Sequence, residues 1–380
     1  MEGVAMNSRF WCGKRVLITG HTGFKGSWLS LWLQRAGATL LGYGLPPVDG
    51  PSLFKLASVG NDMESVYADI RDLGRLQAAF DYFEPEIVLH LAAQPLVRVS
   101  YADPVTTYSV NVLGTVHLFE AVRRSNACRV VVNVTSDKCY ENTERQWAYR
   151  ESDPLGGHDP YSSSKGCSEL VTSAYRRSFF QTQNGRSVAI ASARAGNVIG
   201  GGDFAQDRLV PDVMTALKRN TRPAIRFPEA IRPWQHVLEP LSGYLLLAER
   251  LWEDPQRYSQ SWNFGPAAGD ARSVRWIVDT LSDLCGARMH WDVDASLNPH
   301  EAGLLMLDST KARSALGWQP RWTLDRALRS VVHWHQAYER AESIRRTVMD
   351  EIAAYETTDL AANDPLQSEH AECDVRWAVN

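Results

Sequence analysis

The sequence lacks the features that mark several specialised classes of protein. Its six cysteines are scattered, with no C-x-x-C pair and no close Cys/His cluster of the kind that a zinc site needs. We therefore expect reduced thiols in a cytosolic protein, and no metal site. The formal net charge is only -4, and acidic and basic residues are interspersed, so no general attraction to nucleic acid or to an anionic membrane is expected.

Long apolar runs are missing as well. The first fifteen residues contain no stretch long enough for a signal peptide, and no run of eighteen uncharged apolar residues occurs in the chain. We expect a protein that neither spans a membrane nor crosses one by its own signals. What the chain does have is length, since 380 residues with 44% hydrophobic content can bury a large core in one big domain or two closely associated ones.

Short apolar runs alternate with helical segments through the first half of the chain. Between Arg15 and Arg194 these runs predict strands, several of them apolar nearly throughout, as in strands that helices cover on both faces. The predicted strands cover 15–19, 39–43, 65–70, 86–93, 129–136 and 187–194. The pattern predicts an α/β fold with a doubly wound parallel sheet.

The alternation of apolar runs and helical segments becomes less regular after Arg194. A glycine-rich loop follows, and helical patterns return near Pro211, over 239–253, 274–285 and 309–316, and from Leu324 toward the 340s. We expect a larger domain of 10–194 with a returning segment of about 235–263, and a smaller, interleaved domain of 195–234 and 264–345 that caps the carboxyl edge of the sheet. The predicted C-terminal tail is 346–380, and beyond about Thr357 it has so little apolar period that a mobile extension or a partner-dependent arm is expected.

A glycine-rich turn lies between the first predicted strand and the first predicted helix. G-H-T-G-F-K-G at 20–26 lets the backbone turn tightly and approach a pyrophosphate, whose charge is favoured at a helix start. This placement predicts a dinucleotide site and not a purely structural turn. The assigned contacts are Gly20, Thr22, Gly23, Phe24, Lys25 and Gly26. His21 and Lys25 are bulkier and more polar than such a turn needs, which motivates the hypothesis that the cofactor is held loosely.

The neighbouring strand ends predict the rest of the dinucleotide site. The second strand ends in G-Y-G, with neither the acid that usually binds the adenine ribose nor an arginine, so these residues leave NAD and NADP both open. Asp69 and Ile70 are assigned to the adenine, although for Asp69 alone the capping of the next helix is an alternative. The residues assigned to the crossing of the dinucleotide are Leu91, Ala92 and Ala93.

Tyr161 and Lys165 stand four residues apart at the start of a predicted helix, so their side chains lie on one face. An adjacent ammonium stabilises a phenolate and brings the pKa of the phenol, normally about 10, closer to neutrality. A surface pair on a helix is the alternative for an isolated match. Downstream of a phosphate turn and a fifth strand, the pair instead predicts a catalytic base and its helper.

The fifth strand delivers further polar residues to the carboxyl edge, where open α/β sheets bind their ligands. They are Thr135, Ser136, Asp137 and Lys138. The Ser136 hydroxyl can hydrogen-bond a substrate oxygen while Tyr161 removes its proton. Asp137 and Lys138 add a neighbouring acid and base, for which a solvated ion pair in a loop is the alternative.

Together these motifs resemble the extended short-chain dehydrogenase/reductase superfamily, and longer strings resemble the nucleotide-sugar 4,6-dehydratases of the CDP-glucose type within it. The strings are H-T-G-F-K-G-S-W-L, A-A-Q-P-L-V-R, T-S-D-K-C-Y, D-P-Y-S-S-S-K-G, G-N-V-I-G-G-G-D and I-R-P-W-Q-H-V-L-E-P-L, between about Phe10 and the 340s. The resemblance implies a Rossmann domain that binds NAD, and a smaller interleaved domain that binds a nucleotide sugar.

The resemblance also implies an internal redox cycle, in which the 4-hydroxyl of the sugar is oxidised, water is eliminated across C5 and C6, and hydride returns to C6. Tyr161 then matches the base for the 4-hydroxyl, Lys165 its support and a contact of the nicotinamide ribose, and Ser136 a hydrogen-bond partner. Asp137 matches the proton donor to the leaving hydroxyl and Lys138 the C5 base. The related dTDP-type enzymes carry Asp-Glu here, whereas this sequence has Asp-Lys as the CDP type does.

For the nucleotide sugar, the assigned contacts are Gln94, Arg98, Asn197, Arg208, Arg232 and His300. Arginine is suited to this role because its planar fork matches phosphate oxygens. For His300 and Glu301 a surface-loop role is an equal alternative, and Trp234 is expected in the core. The resemblance further implies a homodimer or a dimer of dimers, paired through the helices at about 104–124 and 161–180.

Two rival interpretations stay open. The first is another sugar-nucleotide enzyme of the same fold, such as a 4-epimerase or a dTDP- or GDP-sugar 4,6-dehydratase. The second is a catalytically silent dinucleotide sensor, although intact Ser136, Tyr161 and Lys165 argue against it.

Overall fold

The computed structural model of the protein describes residues 6–180, 187–287, 289–294 and 302–358. The strands are β1 Arg15–Thr19, β2 Thr39–Gly44, β3 Glu64–Tyr67, β4 Ile87–His90, β5 Val130–Val134, β6 Ala189–Arg194, β7 Val198–Ile199, β8 Ala224–Ile225, β9 Ile231–Pro233, β10 Gln235–His236, β11 Ser261–Asn263, β12 Ala271–Ser273 and β13 Asp292–Val293. The α-helices are α1 Ser8–Trp11, α2 Phe24–Arg35, α3 Leu53–Leu56, α4 Leu73–Phe83, α5 Val97–Ala102, α6 Pro104–Tyr108, α7 Gly114–Arg124, α8 Pro160–Tyr175, α9 Leu209–Arg219, α10 Leu238–Glu253, α11 Pro255–Tyr258, α12 Val274–Leu284, α13 Leu324–Glu339 and α14 Ile344–Glu356. Short 3-10 or π-helical segments cover Val59–Asp62, Ser109–Leu113, Asp137–Cys139, Arg176–Phe180, Ala268–Asp270 and Ala312–Leu316. Within the described ranges, no helix is both long enough and apolar enough to cross a bilayer.

The main sheet is parallel throughout and has the strand order β11-β6-β5-β4-β1-β2-β3. The order reverses between β1 and β4, which creates a crevice at the carboxyl edge of the sheet at that point. The central strands β4 and β5 are buried at every residue because helices cover both faces of the sheet. The predicted α/β class and the doubly wound sheet are confirmed.

Strand β4 ends at His90, although its apolar run continues for three more residues. The backbone N–H of Leu91 donates to both the carbonyl oxygen and Oγ1 of Thr19 at 3.1 Å, and that of Ala92 donates to the same Oγ1 atom at 3.1 Å, so the pairing with β1 ends here. Strands β3 and β5 likewise end earlier than predicted. The residues that follow these strands are therefore released from the sheet and border the crevice.

Strand β11 was not predicted. It pairs in parallel with β6 and forms the edge of the sheet. Its sequence, S-W-N, is too short to show a strand period, so pairing with a neighbour defines it and the local pattern does not.

The helices of the carboxyl-terminal half follow their predicted spans closely. The segments predicted at 239–253 and 274–285, and from Leu324 onward, form α10, α12 and α13. Helix α9 forms at the stretch predicted near Pro211. The segment predicted at 309–316 is shorter, a single π-helical turn at Ala312–Leu316. Helices α9, α12 and α13 enclose an apolar cluster separate from the core around the sheet.

Helix α14 occupies residues that the sequence pattern assigns to the tail. Val348 and Ile352 are fully buried, and Tyr355 is nearly so, against the main core. The predicted boundary at 346 falls inside this helix, because its apolar residues recur at helical spacing. The remainder of the predicted tail, from 359, lies outside the described residues.

Candidate active site

A cavity of about 960 Å³ opens at the carboxyl ends of β1, β4, β5 and β6. Its walls include every described residue assigned to catalysis or to the cofactor, and most of those assigned to the substrate. These are Gly20, Thr22, Gly23, Phe24, Lys25, Gly26, Asp69, Ile70, Leu91, Ala92, Ala93, Arg98, Thr135, Ser136, Asp137, Lys138, Tyr161, Lys165, Asn197, Arg208 and Arg232. Residues far apart in the chain thus meet around one space.

The glycine turn leaves no room for side chains at two positions. A Cβ at Gly20, whose φ is +74°, would lie 2.8 Å from the backbone nitrogen of Ala92, and one at Gly26 would lie 2.2 Å from the carbonyl oxygen of Gly20. Gly23 caps α2 without a side-chain hydrogen bond, so the first N–H groups of that helix stay available at the cavity. A close backbone approach to a helix start is the geometry that a pyrophosphate requires.

His21 lies beneath the turn and does not line the cavity. It is fully buried, and its ring packs so closely on Gly42 that a Cβ there would lie 2.2 Å from its Cδ2 atom. Its Nε2 atom is 3.1 Å from Ser65 Oγ, and burial lowers its pKa to about 4. The hypothesis of a loosely held cofactor therefore cannot rest on His21, whose size is used in packing the turn onto the sheet.

Asp69 borders the cavity but does not cap a helix. Its carboxylate pairs with Arg71 at 2.7 Å, and this side-chain hydrogen bond lowers the pKa of Asp69. The cap of α4 is Asp72, which accepts a hydrogen bond from the backbone of Arg75. The capping alternative for Asp69 is therefore wrong, and its position near an adenine stays a prediction.

Ser136 and Asp137 form a buried pair at the end of β5. Ser136 caps a short 3-10 turn, and its hydroxyl donates to Asp137 Oδ1 at 2.9 Å. Asp137 is fully buried, and within the described part of the chain its Oδ2 atom has no hydrogen-bond partner. Lys138 Nζ lies 3.4 Å from Asp137 Oδ1 and is one-third exposed, at 32%. Because the carboxylate is buried, the pair does not match the solvated ion pair considered from the sequence.

Tyr161 and Lys165 lie on the first turns of α8, which begins at Pro160 and is capped by Asp159. Both side chains are buried in the cavity wall. Burial raises the pKa of Tyr161 to about 12, and a hydrogen bond from Ser136 opposes this. Burial lowers the pKa of Lys165 to about 8, and its Nζ donates to the carbonyl of residue 134 at 3.4 Å. Burial therefore outweighs the lowering of the phenol pKa that the sequence predicts.

A buried ion pair connects the elements that carry these residues. Arg194 Nη2 and Glu169 Oε2 are 2.7 Å apart, and both side chains are at most 2% exposed. Glu169 also accepts hydrogen bonds from Thr135 and Ser192. Its negative charge raises the pKa of Lys165, which counters the effect of burial. The pair thus links β6 to α8 and to the residue that precedes Ser136.

Lys25 belongs to this cluster as well as to the glycine turn. Its pKa is lowered to about 7, first by burial and then by the charge of Arg208, while Asp137 acts in the opposite direction. From the sequence, Lys25 is placed only at the cofactor. The sequence contains no sign of this electrostatic interaction, because Lys25 and Asp137 are brought near each other by the order of the strands.

The residues assigned to the diphosphate lie on the opposite wall. Asn197 has a φ of +46°, and no group among the described residues bonds its buried Oδ1 atom. Arg208 Nη1 pairs with Asp203 at 2.7 Å and remains one-third exposed. Arg232 is buried and donates to the carbonyl of Ile231 at 3.0 Å.

The other residues assigned to the substrate are Arg98, Gln94 and His300. Arg98 pairs with Asp207 at 2.9 Å at the rim of the cavity. Gln94 does not line the cavity, because its amide donates to Thr107 at 2.8 Å and accepts from the backbone N–H of Leu96. Its assignment as a substrate contact is not supported by this position. His300 and Glu301 lie outside the described residues. Trp234 is buried in the apolar cluster beside α9, as expected, and also borders the cavity.

A parallel sheet with this turn, and with a serine, a tyrosine and a lysine at its carboxyl edge, defines an extended short-chain dehydrogenase/reductase. Solved structures of that class have the same fold. UDP-glucose 4-epimerase of Thermotoga maritima, with UDP-glucose, superposes with a TM-score of 0.74 at 20% identity, covering 86% of this chain and 99% of its own. dTDP-glucose 4,6-dehydratase of Bacillus anthracis, in complex with NAD, gives 0.73 at 20% identity, covering 88% and 100%.

Sequence comparison narrows the class. The family model described as GDP-mannose 4,6 dehydratase matches residues 17–331. The CDP-glucose 4,6-dehydratase of Salmonella typhimurium is 52% identical over 352 residues, which cover 92% of this chain and 98% of that protein. The chain belongs to this family of nucleotide-sugar dehydratases.

Proposed function

We propose that the enzyme converts CDP-D-glucose to CDP-4-keto-6-deoxy-D-glucose and water. The observation that carries the proposal is the buried Asp137, with Lys138 beside it, next to Ser136, Tyr161 and Lys165 in one cavity. Oxidation alone, or epimerisation at C4, needs only the serine, tyrosine and lysine. The additional acid and base are what an elimination requires. The 52% identical relative from Salmonella typhimurium, a CDP-glucose 4,6-dehydratase, supports the same reaction.

NAD is the cofactor in this proposal, and the cavity fits it. The crowded glycine turn and the start of α2, which has no side-chain cap, suit a pyrophosphate, and the small residues after β4 leave space for the dinucleotide. Asp69 and Ile70 would border the adenine, and Tyr161 and Lys165 the nicotinamide ribose. When bound, NAD takes up hydride from C4 of the hexose and gives it back at C6.

The first role of the protein is to take the proton of the 4-hydroxyl. Tyr161 is the base, with Ser136 hydrogen-bonding the same oxygen. Burial raises its pKa to about 12, so removal of the proton requires groups that stabilise the phenolate. Positive charge nearby favours the phenolate, and Arg208 already acts in that direction. Lys165 supplies a second positive charge from the same helix face.

The second role is to eliminate water. Once C4 is a ketone, the C5–H bond is acidic, so Lys138 can take that proton while the C6–O bond breaks. Asp137 donates the proton that lets the 6-hydroxyl leave as water. Lys138 must be neutral when it accepts this proton.

The diphosphate of the substrate is assigned to Asn197, Arg208 and Arg232 on the capping wall. Arg208 is partly exposed to the cavity, and its fork can bind a phosphate oxygen while keeping its contact with Asp203. Within the part of the chain that the structure describes, the buried Oδ1 atom of Asn197 has no hydrogen-bond partner, and it suits a hydroxyl donor on the ribose or the sugar.

Product analysis tests the proposal. The protein is incubated with NAD and CDP-, dTDP- or GDP-glucose, and the product is examined in alkali, where a 4-keto-6-deoxy sugar absorbs and an epimer does not. We expect the chromophore to form fastest from CDP-glucose and not at all with Tyr161→Phe. An epimer, or faster turnover of another nucleotide sugar, would contradict the proposal.

A homodimer is part of the proposal. The helices at 104–124 and 160–180 expose several large apolar side chains, among them Val105 at 78%, Leu113 at 52% and Leu170 at 60%. Such a patch is unusual on a monomer and suits a two-fold contact between copies. Light scattering after size exclusion is expected to give twice the chain mass or a multiple of it, and Leu170→Glu is expected to weaken the assembly. A monomer at all concentrations would contradict it.

A further inference from the structure

Helix α9 fixes the distance between two polar groups in the cavity wall. Arg208 is its N-cap residue, and the backbone N–H of Asp212 donates to the carbonyl of Arg208 at 3.1 Å. Four residues of helix advance about 6 Å along the axis. Arg208 and Asp212 therefore lie about one helical turn apart in the cavity wall, so a nucleotide that binds Arg208 through its diphosphate and extends along α9 brings its ribose and base to Asp212.

The carboxylate of Asp212 takes no part in the packing of the protein. It lines the same cavity as Ala224 and Phe227 of the β8 strand and loop, and among the described residues its side chain has neither an ion pair nor a hydrogen bond. Its neighbours differ in this respect, since Asp203 pairs with Arg208 and Asp207 with Arg98.

The side chain of Asp212 is exposed to the cavity. Partial desolvation and then the negative charge of Asp207 raise its pKa to about 6, while the positive charge of Arg226 acts in the opposite direction. At neutral pH the group is still mainly ionised. An ionised carboxylate only accepts hydrogen bonds, so its natural partner is a donor. A hydrogen-bond donor on a bound ligand would replace the hydration that the Asp212 carboxylate loses when the ligand fills the cavity.

Pyrimidine bases differ at the position that such a group would contact. Cytosine carries an exocyclic amino group, which donates, whereas uracil and thymine carry a carbonyl oxygen, which accepts. A carboxylate therefore attracts cytosine and repels the other two. We propose that Asp212 accepts a hydrogen bond from the amino group of the cytosine and thereby determines the base specificity of the site. This inference rests on the proposed function for the choice of a pyrimidine nucleotide as ligand.

The test separates base recognition from sugar chemistry. Affinities for CDP and UDP are measured by calorimetry with wild type, Asp212→Asn and Asp212→Leu, all loaded with NAD. We expect wild type to prefer CDP, and both variants to lose CDP affinity on the order of 10- to 100-fold, as for loss of a charged hydrogen bond. UDP affinity is expected to change little, or to rise in Asp212→Asn, whose amide can donate to a carbonyl.

Asp283→Asn is the matched control, because Asp283 is exposed on α12 and does not line the cavity. It is expected to keep the wild-type preference. Equal binding of CDP and UDP by wild type, or an unchanged preference in both Asp212 variants, would overturn the assignment of Asp212. Turnover of CDP-glucose is measured separately, so a protein that prefers CDP but dehydrates no CDP-glucose would refute the proposed reaction and leave the role of Asp212 supported.

Discussion

Replacing Glu169 by alanine tests how the catalytic edge of the sheet is supported. The change removes a carboxylate that is buried and 2.7 Å from Arg194, and leaves the guanidinium buried without its counter-charge. Breaking a buried pair in this way costs about 3–5 kcal/mol. The loss of hydrogen bonds from Thr135 and Ser192 acts in the same direction, so we expect a decrease in the free energy of unfolding near the upper end of that range.

The assay is equilibrium unfolding in urea, followed by the fluorescence of the 13 tryptophans. The control is the double variant Glu169→Leu with Arg194→Met, which removes both charges and is expected to be more stable than Glu169→Ala. At permissive temperature, Glu169→Ala is also expected to shift the pH profile of kcat, because Lys165 loses the charge that raises its pKa. A destabilisation below about 1 kcal/mol, or a double variant no better than the single one, would refute the account of this pair.

Three further predictions concern the turn, the elimination and the pH dependence of stability. Gly26→Ala should weaken NAD binding by on the order of 100-fold or more, since its Cβ would collide with the carbonyl oxygen of Gly20 and distort the turn. Wild-type affinity for NAD in calorimetry would contradict the assignment of the glycine turn to the pyrophosphate. Asp137→Asn should lower product formation by about 10²–10⁴-fold, with a 4-keto sugar that keeps its 6-hydroxyl accumulating on mass spectrometry; wild-type turnover would remove Asp137 from the elimination. Burial raises the pKa of Glu239 to about 7, compared with about 4.3 in the unfolded chain. Protonated Glu239 therefore stabilises the folded protein fully below about pH 4.3, and this stabilisation is lost as the pH rises to about 7. Glu239→Gln should flatten this loss by roughly 2–4 kcal/mol between pH 4 and pH 8, and an unchanged slope would show that Glu239 does not cause it.

The sequence predicts the sheet and the cofactor turn because both depend on local patterns. An apolar run marks each long strand, and three glycines between a strand and a helix mark the turn at Gly20. The same logic fails for β11, because three residues carry no period. It also extends β4 beyond His90, because an apolar pattern does not reveal that Thr19 takes up the next two backbone donors.

The directions in which the side chains of the site point could not be predicted from the sequence. His21 and Lys25 stand four apart in one turn, yet His21 is buried under it while Lys25 joins the catalytic cluster. Gln94 follows a strand end like Asp137, but its amide is used in a loop contact with Thr107. Asp212 has no motif around it, and its position in the cavity depends on how α9 packs with α12 and α13.

The internal redox cycle is the central claim, and isotope transfer tests it most directly. CDP-glucose carrying deuterium at C4 is incubated with the enzyme in ordinary water, and the position of the label in the product is read by NMR. The account predicts that the deuterium is found at C6, in the same molecule, with one solvent hydrogen at C5. Loss of the label to solvent, or its retention at C4, would contradict the proposed reaction.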